Sequence, residues 1–208
     1  MSRIDWGIAG TRRYEYGVDR AVFYPTKNVA RPWVGLTNVA EEYDEEQTTS
    51  FLDGRLFNTN LSGSDFSCKV SAFAPPPDFD SAVGIRRVGR IIAITQQPRL
   101  PFSMTYRTMI GNDLTGRLHG YKLHLLYNAT LQPSETEHSS LSDDSTPTVY
   151  EYELRCVPER VQGKPPAAHV VIHDTDHGRE QLENVLYGTD EMPPRFPDLE
   201  EVYDILGR

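Results

Sequence analysis

Residues Thr105–Ala129 read T-Y-R-T-M-I-G-N-D-L-T-G-R-L-H-G-Y-K-L-H-L-L-Y-N-A, and the fold class turns on them. Upstream, Leu100, Phe102, Met104 and Tyr106 share one parity and Ser103, Thr105 and Arg107 the other. Downstream, Tyr121, Leu123, Leu125 and Tyr127 oppose Lys122, His124 and Asn128. A period of two marks a half-buried strand on each side. Between them Gly111, Gly116 and Gly120 offer backbone freedom at positive φ, and Asn112 and Asp113 favour turns through their side chains. The stretch is predicted to be a β-hairpin with a structured connection, its polar parity, His124 included, facing solvent or a lumen.

Working outward, further strands are predicted at Gly17–Tyr24, Trp33–Val39, Phe66–Ala74, Tyr150–Cys156 and Ala168–His173. The strand from Phe66 ends at three prolines, Pro75 to Pro77, which remove ladder donors. Asp78–Gln97 is ambiguous, with Ile91, Ile92 and Ile94 fitting a short strand or an anchor to the core. Met1–Arg13 lacks periodicity and reads as an extended arm. Ala40–Gly63 opens with Glu41, Glu42, Asp44, Glu45 and Glu46, the pattern of a solvated loop, yet it carries Phe51, Leu52, Leu56, Phe57 and Leu61. Such a length is uncommon for a loop in a compact domain, and its apolar groups favour docking onto a neighbouring subunit. Gln132–Pro147 reads as a surface loop. The C-terminal part, residues 176–208, is predicted to be helical: Leu182, Val185 and Leu186 precede Gly188, and Leu199, Val202, Tyr203 and Leu206 precede Gly207. Asp198 and Glu201 have the spacing of a capping box.

The wording of I-G-N-D-L-T-G followed by H-G-Y-K-L-H-L-L-Y-N-A resembles the major tail protein, or tail tube protein, of long non-contractile-tailed bacteriophages. Tyr14–Tyr24, Trp33–Thr37, Phe66–Ala74, Leu131–Glu135, Leu182–Thr189 and the closing P-R-F-P-D-L-E-E-V-Y-D-I-L resemble the same family, in order through nearly the whole chain. Pro75 to Pro77 and Ile85–Arg90 depart from its pattern. The resemblance implies hexameric rings that stack into a tail tube, with inner sheets joined around each ring and DNA passing through the lumen.

The chain's 208 residues fit one β-rich domain. No apolar run approaches the roughly 20 residues of a membrane span and no signal peptide is visible at the N-terminus, so folding in the cytoplasm is expected. Cys68 and Cys156 lie on apolar parities and are expected to be buried, reduced thiols. With 21 basic against 30 acidic groups, net −9, the chain lacks the basic footprint of a nucleic-acid reader. Lys69, Lys122, Arg107 and Arg155 lie on polar parities, but Glu151 and Glu153 interrupt any basic stripe.

His173-Asp174-Thr175-Asp176-His177 gathers possible zinc ligands, but it stands where a strand gives way to a helix, and Asp or Thr there is expected to cap the helix instead. Gly111–Gly120 lacks the lysine of a phosphate-binding loop and precedes a strand. No nucleophile motif accompanies His119 or His124.

The sequence therefore predicts a mainly β, β-rich α+β domain: two antiparallel sheets packed as a sandwich or partial barrel, with flanking helices. It is expected to be a structural virion protein without catalytic, cofactor or metal residues. The resemblance implies that its partners are other copies of itself in homohexameric rings and other tail proteins at the tube ends, with synthesis in the host cytoplasm and residence in the virion tail. Glu151 and Glu153 are expected to face the lumen, and Phe51, Leu52, Leu56, Phe57 and Leu61 to make inter-subunit contacts. The alternatives are a single-ring tail terminator or head-tail adaptor, and a metal-dependent hydrolase centred on His173 and His177.

Overall fold

The computed structural model describes residues 7–44, 47–52, 55–61, 65–89, 92–133 and 147–207, with the side chains of 47–52, 56–61 and 118 outside that description. Along the chain run β1 (Arg13–Thr26), β2 (Val29–Pro32), β3 (Leu36–Asp44), β4 (Gln47–Leu52), β5 (Arg55–Leu61), β6 (Asp65–Ala72), α1 (Asp80–Val83), β7 (Arg86–Val88) and β8 (Ile92–Ile94). They are followed by β9 (Phe102–Asn112), β10 (Gly116–Leu131), β11 (Tyr150–Cys156), β12 (His169–His173), α2 (Arg179–Tyr187) and α3 (Leu199–Leu206). The domain is mainly β. Eight strands form one antiparallel sheet in the order β2-β1-β9-β10-β11-β6-β3, with β12 beside β10. This sheet curls on itself as a partial barrel: Phe23 of β1, Val70 of β6, Met104 of β9, Leu126 of β10 and Leu154 of β11 share one buried cluster. The curl stops short between β1 and β3, where Tyr16, Val18, Thr37 and Val39 line a recess.

The predicted central hairpin is β9 and β10. Asn112 Oδ1 accepts the N–H groups of Leu114 and Thr115, at 3.1 and 2.6 Å, which makes the turn. Of the three glycines, only Gly116 takes positive φ (59°). Gly111 and Gly120 are small because neighbours press against them: a Cβ would run into the Tyr14 ring at the first and the Asp174 carboxylate at the second. Described residues of the N-terminal arm are tied down here too, since the Gly10 N–H donates to Asp113 Oδ1 at 2.9 Å and Arg13 already pairs with Asn112.

β10 is covered on both faces. Leu126 and Ala129 point into the barrel, whereas Leu123, Leu125 and Tyr127 pack beneath α2 and α3 against Leu182, Leu186, Phe196, Leu199 and Val202. The two helices form as their apolar stripes predict, but not by the caps expected. Asp198 makes no side-chain cap bond and pairs with Lys27, while Glu201 takes both guanidinium arms of Arg195 at 2.6 Å. These partners draw the two acids away from the helix N–H groups. α2 starts at Gly178 (φ 79°), and Asp176 instead accepts the His173 N–H at 2.8 Å, closing the turn before the helix.

β1 and β10 contain register shifts. In β1 they fall between Tyr16 and Val18 and between Asp19 and Val22, at Gly17 (φ 59°) and Arg20 (φ 47°); in β10 one falls between Leu126 and Ala129, at Asn128 (φ 47°). Each is a bulge, which adds a residue on one strand and increases its twist.

The expected loop at Ala40–Gly63 is strand. β3 continues to Asp44, paired with Asp65 of β6, and the next pair, Gln47 with Leu61, belongs to a separate β4–β5 hairpin. The acid-rich opening disguises a pleat in which Val39, Glu41 and Tyr43 share one parity. In the ambiguous region β8 pairs with β7, leaving Ile92 and Ile94 exposed rather than pinned in the core.

Truncating Leu126, wholly buried where β9 and β10 line the barrel, to Ala should cost about 2–5 kcal/mol in urea unfolding. The same truncation of exposed Val171 on β12 should cost less than about 1 kcal/mol.

Candidate functional site

Pleating places a polar cluster among the apolar side chains of the barrel interior. Tyr106 pairs with His124 two residues from the Met104–Leu126 pair, so His124 shares the inward face; His169 lies beside Leu126 on the other flank of β10. From β3 comes Glu41, flanked on the same parity by Tyr43. The His124 and His169 side chains are 5% and 3% exposed and that of Glu41 27%. His124 is therefore a core residue, not the solvent- or lumen-facing one its polar parity predicts. β12 and β3 cover the side of β10 that a hairpin alone would leave open.

The cluster is closely bonded. His124 Nδ1 lies 3.0 Å from His169 Nε2 and 3.2 Å from Glu41 Oε1. The Tyr106 hydroxyl donates to Glu41 Oε1 at 2.6 Å, the Tyr43 hydroxyl meets His169 Nδ1 at 2.8 Å, and the Thr108 hydroxyl meets His124 Nε2 at 3.0 Å. His124 stacks on Tyr106 with centroids 4.5 Å apart, and His169 on Phe66 at 4.4 Å. Hydrogen positions follow from the network. Thr108 donates to His124 Nε2, His124 Nδ1–H is shared by His169 Nε2 and the carboxylate, and His169 Nδ1–H donates to Tyr43.

Burial pulls the His169 pKa down to about 4, against the attraction of Glu41. Burial also opposes charge on Glu41, but hydrogen bonds from His124 and Tyr106 and the nearby imidazoles outweigh it and hold the carboxyl at about 2. Burial, with the Glu41 carboxylate next, pushes the Tyr106 hydroxyl well above its ordinary range. The site is thus an anionic carboxylate facing two imidazoles, a donor set suited to holding a cation. Cys68 and Cys156 are free and buried; burial raises both thiols, Cys156 to about 12, so neither is a nucleophile at neutral pH.

The other sequence candidates lie elsewhere. His173 and His177 are exposed, and the structure does not gather them with Asp174 and Asp176 as ligands. Glu151 and Glu153 project from the exposed face of β11, but the face is of mixed sign: Lys69 lies 3.4 Å from Glu151, and Arg155 binds Asp65 at 2.6 Å. Arg107 is largely buried, gripping Asp19 with two bonds, and Lys122 pairs with Glu15. Phe51, Leu52, Leu56, Phe57 and Leu61 belong to β4 and β5, with side chains outside the described residues. Sequence reasoning did not single out Glu41 or His169 as site residues; the one legible signal was the shared parity of Val39, Glu41 and Tyr43. Compared with known protein families and curated proteins, the chain matches none.

The unfolded chain accepts a proton at His169 near pH 6.5 and the folded protein not until about 4. Stability should therefore fall as pH drops through this window, by roughly 3 kcal/mol. Glu41 adds a loss between 4.5 and about 2, where the unfolded carboxylate protonates first. Urea unfolding at stepped pH with chelator present should show the upper slope in the wild type and lose it in His169→Gln.

Proposed function

We propose that this chain is a structural tail tube protein of a long non-contractile-tailed bacteriophage, whose copies form hexameric rings that stack into a conduit for DNA. The observation that carries the reading is the β4–β5 hairpin, which continues from the β3–β6 pair as a separate two-stranded sheet. Such a hairpin is marginal alone in water, and its sequence carries Phe51, Leu52, Leu56, Phe57 and Leu61. Docking on an adjacent subunit or ring gives those groups a partner. The sheet ends in two edge strands, β2 and β3, and closing sheets across subunits removes such edges. The ordered resemblance of Tyr14–Tyr24, the central hairpin and the C-terminal segment to tail tube proteins supports the same reading.

On this reading the protein works by its surfaces rather than by catalysis. It resides in the virion tail after synthesis in the host cytoplasm, meets other tail proteins at the tube ends, and lets DNA pass without specific binding. Glu151 and Glu153 face the lumen. Six copies at −9 each carry −54 per ring, and an acidic lumen limits phosphate sticking within roughly 8–10 Å of the wall. Lys69 and Arg155 on the same face moderate the repulsion.

Negative-stain microscopy of purified protein should show long tubes; isolated rings would indicate a terminator or adaptor instead. Replacing residues 47–61 with a short Gly-Ser link should leave a soluble protomer that no longer polymerises, and unimpaired tube growth would sink the docking role of the hairpin. A tube reconstruction with Glu151 and Glu153 on the outer wall would reject their assignment to the lumen.

A further inference from the structure

We propose that Glu41, His124 and His169 form a binding site for a single transition-metal dication of the zinc class. The proposal stands apart from tube assembly and concerns the protomer. Each residue offers one ligand atom within 4.8 Å of the others, and the close approach of His124 Nδ1 to both His169 Nε2 and Glu41 Oε1 selects those atoms as the ligands. Around tetrahedral zinc, bonds of about 2.0–2.1 Å place neighbouring ligand atoms roughly 3.3–3.4 Å apart. The observed 3.0 Å between the imidazole nitrogens and 3.2 Å from His124 Nδ1 to Glu41 Oε1 differ from that spacing by a few tenths of an ångström, while His169 and Glu41 approach only to 3.9 Å, between Nδ1 and Oε2, so the carboxylate must swing toward His169 when the ion binds. Two imidazoles and one carboxylate favour zinc, cobalt or nickel over magnesium or calcium, which prefer all-oxygen shells.

The supporting groups suit the same purpose. A metal-bound imidazole usually uses its second nitrogen to fix ring orientation. Here Thr108 holds His124 Nε2 at 3.0 Å and Tyr43 holds His169 Nδ1 at 2.8 Å. Tyr106 anchors Glu41 Oε1 at 2.6 Å. Stacking on Tyr106 and Phe66 fixes the two ring planes. Metal entry needs no net proton release: His124 moves its proton from Nδ1 to Nε2 and donates to Thr108, whose hydroxyl can accept as readily as donate. The partly exposed Glu41 leaves a side from which the ion enters and a water completes the shell.

Because the ligands come from β3, β10 and β12, a bound ion would tie the edge strand β3, at the root of the β4–β5 hairpin, to the doubly covered strand β10.

The test uses tag-free full-length protein, stripped with chelator and titrated with Co²⁺. One ion per chain should give the intense visible d–d absorption of a tetrahedral site, Zn²⁺ should bleach it, and Zn²⁺ should raise Tm by several degrees. His169→Gln and Glu41→Gln should each weaken cobalt binding by at least tenfold, whereas His173→Gln and His177→Gln, on exposed residues, should leave it unchanged. Should the ligand variants fail to fold, Thr108→Val keeps all three ligands and is expected to weaken binding about tenfold. Absence of the absorption band, binding that follows His173 or His177, or equal affinity in wild type and Thr108→Val would each overturn the proposal. Loss of tubes with metal binding intact would bear on tail assembly alone, and the converse on the ion site alone.

Discussion

β10 is buried on both faces, and most of the architecture answers to that constraint. A strand covered on one side needs only a curled sheet; a strand covered on both needs a second layer. α2, α3 and Phe196 supply that layer, with Leu123, Leu125 and Tyr127 beneath them. Inside the curl, Leu126 and Ala129 meet Met104, Phe102 and the aromatic group of Phe23, Phe79, Trp33 and Tyr152. Each fully buried large side chain contributes on the order of 1.5–3 kcal/mol. The helices and the barrel are therefore two halves of one requirement, and removing either exposes an inner strand to water.

The same double burial explains what could be read from the residues and what could not. The hairpin, the strands at Phe66 and Tyr150, the two buried thiols and the two C-terminal helices follow from periodicity. The parity of β10 was misleading: Lys122 and His124 look like a solvent face because period two separates two sides but does not say whether both are covered. The acidic end of β3 misled in the opposite direction, since Glu41, on the parity it shares with Val39 and Tyr43, reaches His124, while Glu42 and Asp44 lie on the other parity. Its role depends on His124 and His169, more than eighty residues away, and no local pattern encodes such a meeting.

A half-buried carboxylate set against two buried imidazoles is costly unless the polar atoms are satisfied. Here Tyr43, Tyr106 and Thr108 satisfy it, from the two strands that approach across the barrel and its open seam. The polar cluster thus fixes the register of β3 against β9 and β10 in a way that apolar packing alone does not, because a slip of one residue would turn Glu41 outward and leave both imidazoles facing hydrocarbon.

The bulges at Arg20 and Asn128 give β1 and β10 a change of phase. Before Arg20 the odd-even rhythm sends Val18 inward; after it, Ala21 and Phe23 point inward while Val22 and Tyr24 meet the helices. In β10 Leu126 and Ala129 share a face across the same kind of break. Sequence length in these strands is consequently a structural variable in its own right. Losing one residue at either bulge, with every side chain otherwise kept, would exchange inside and outside for one half of a strand. Substitution at these positions changes one side chain, but a deletion changes the meaning of its neighbours.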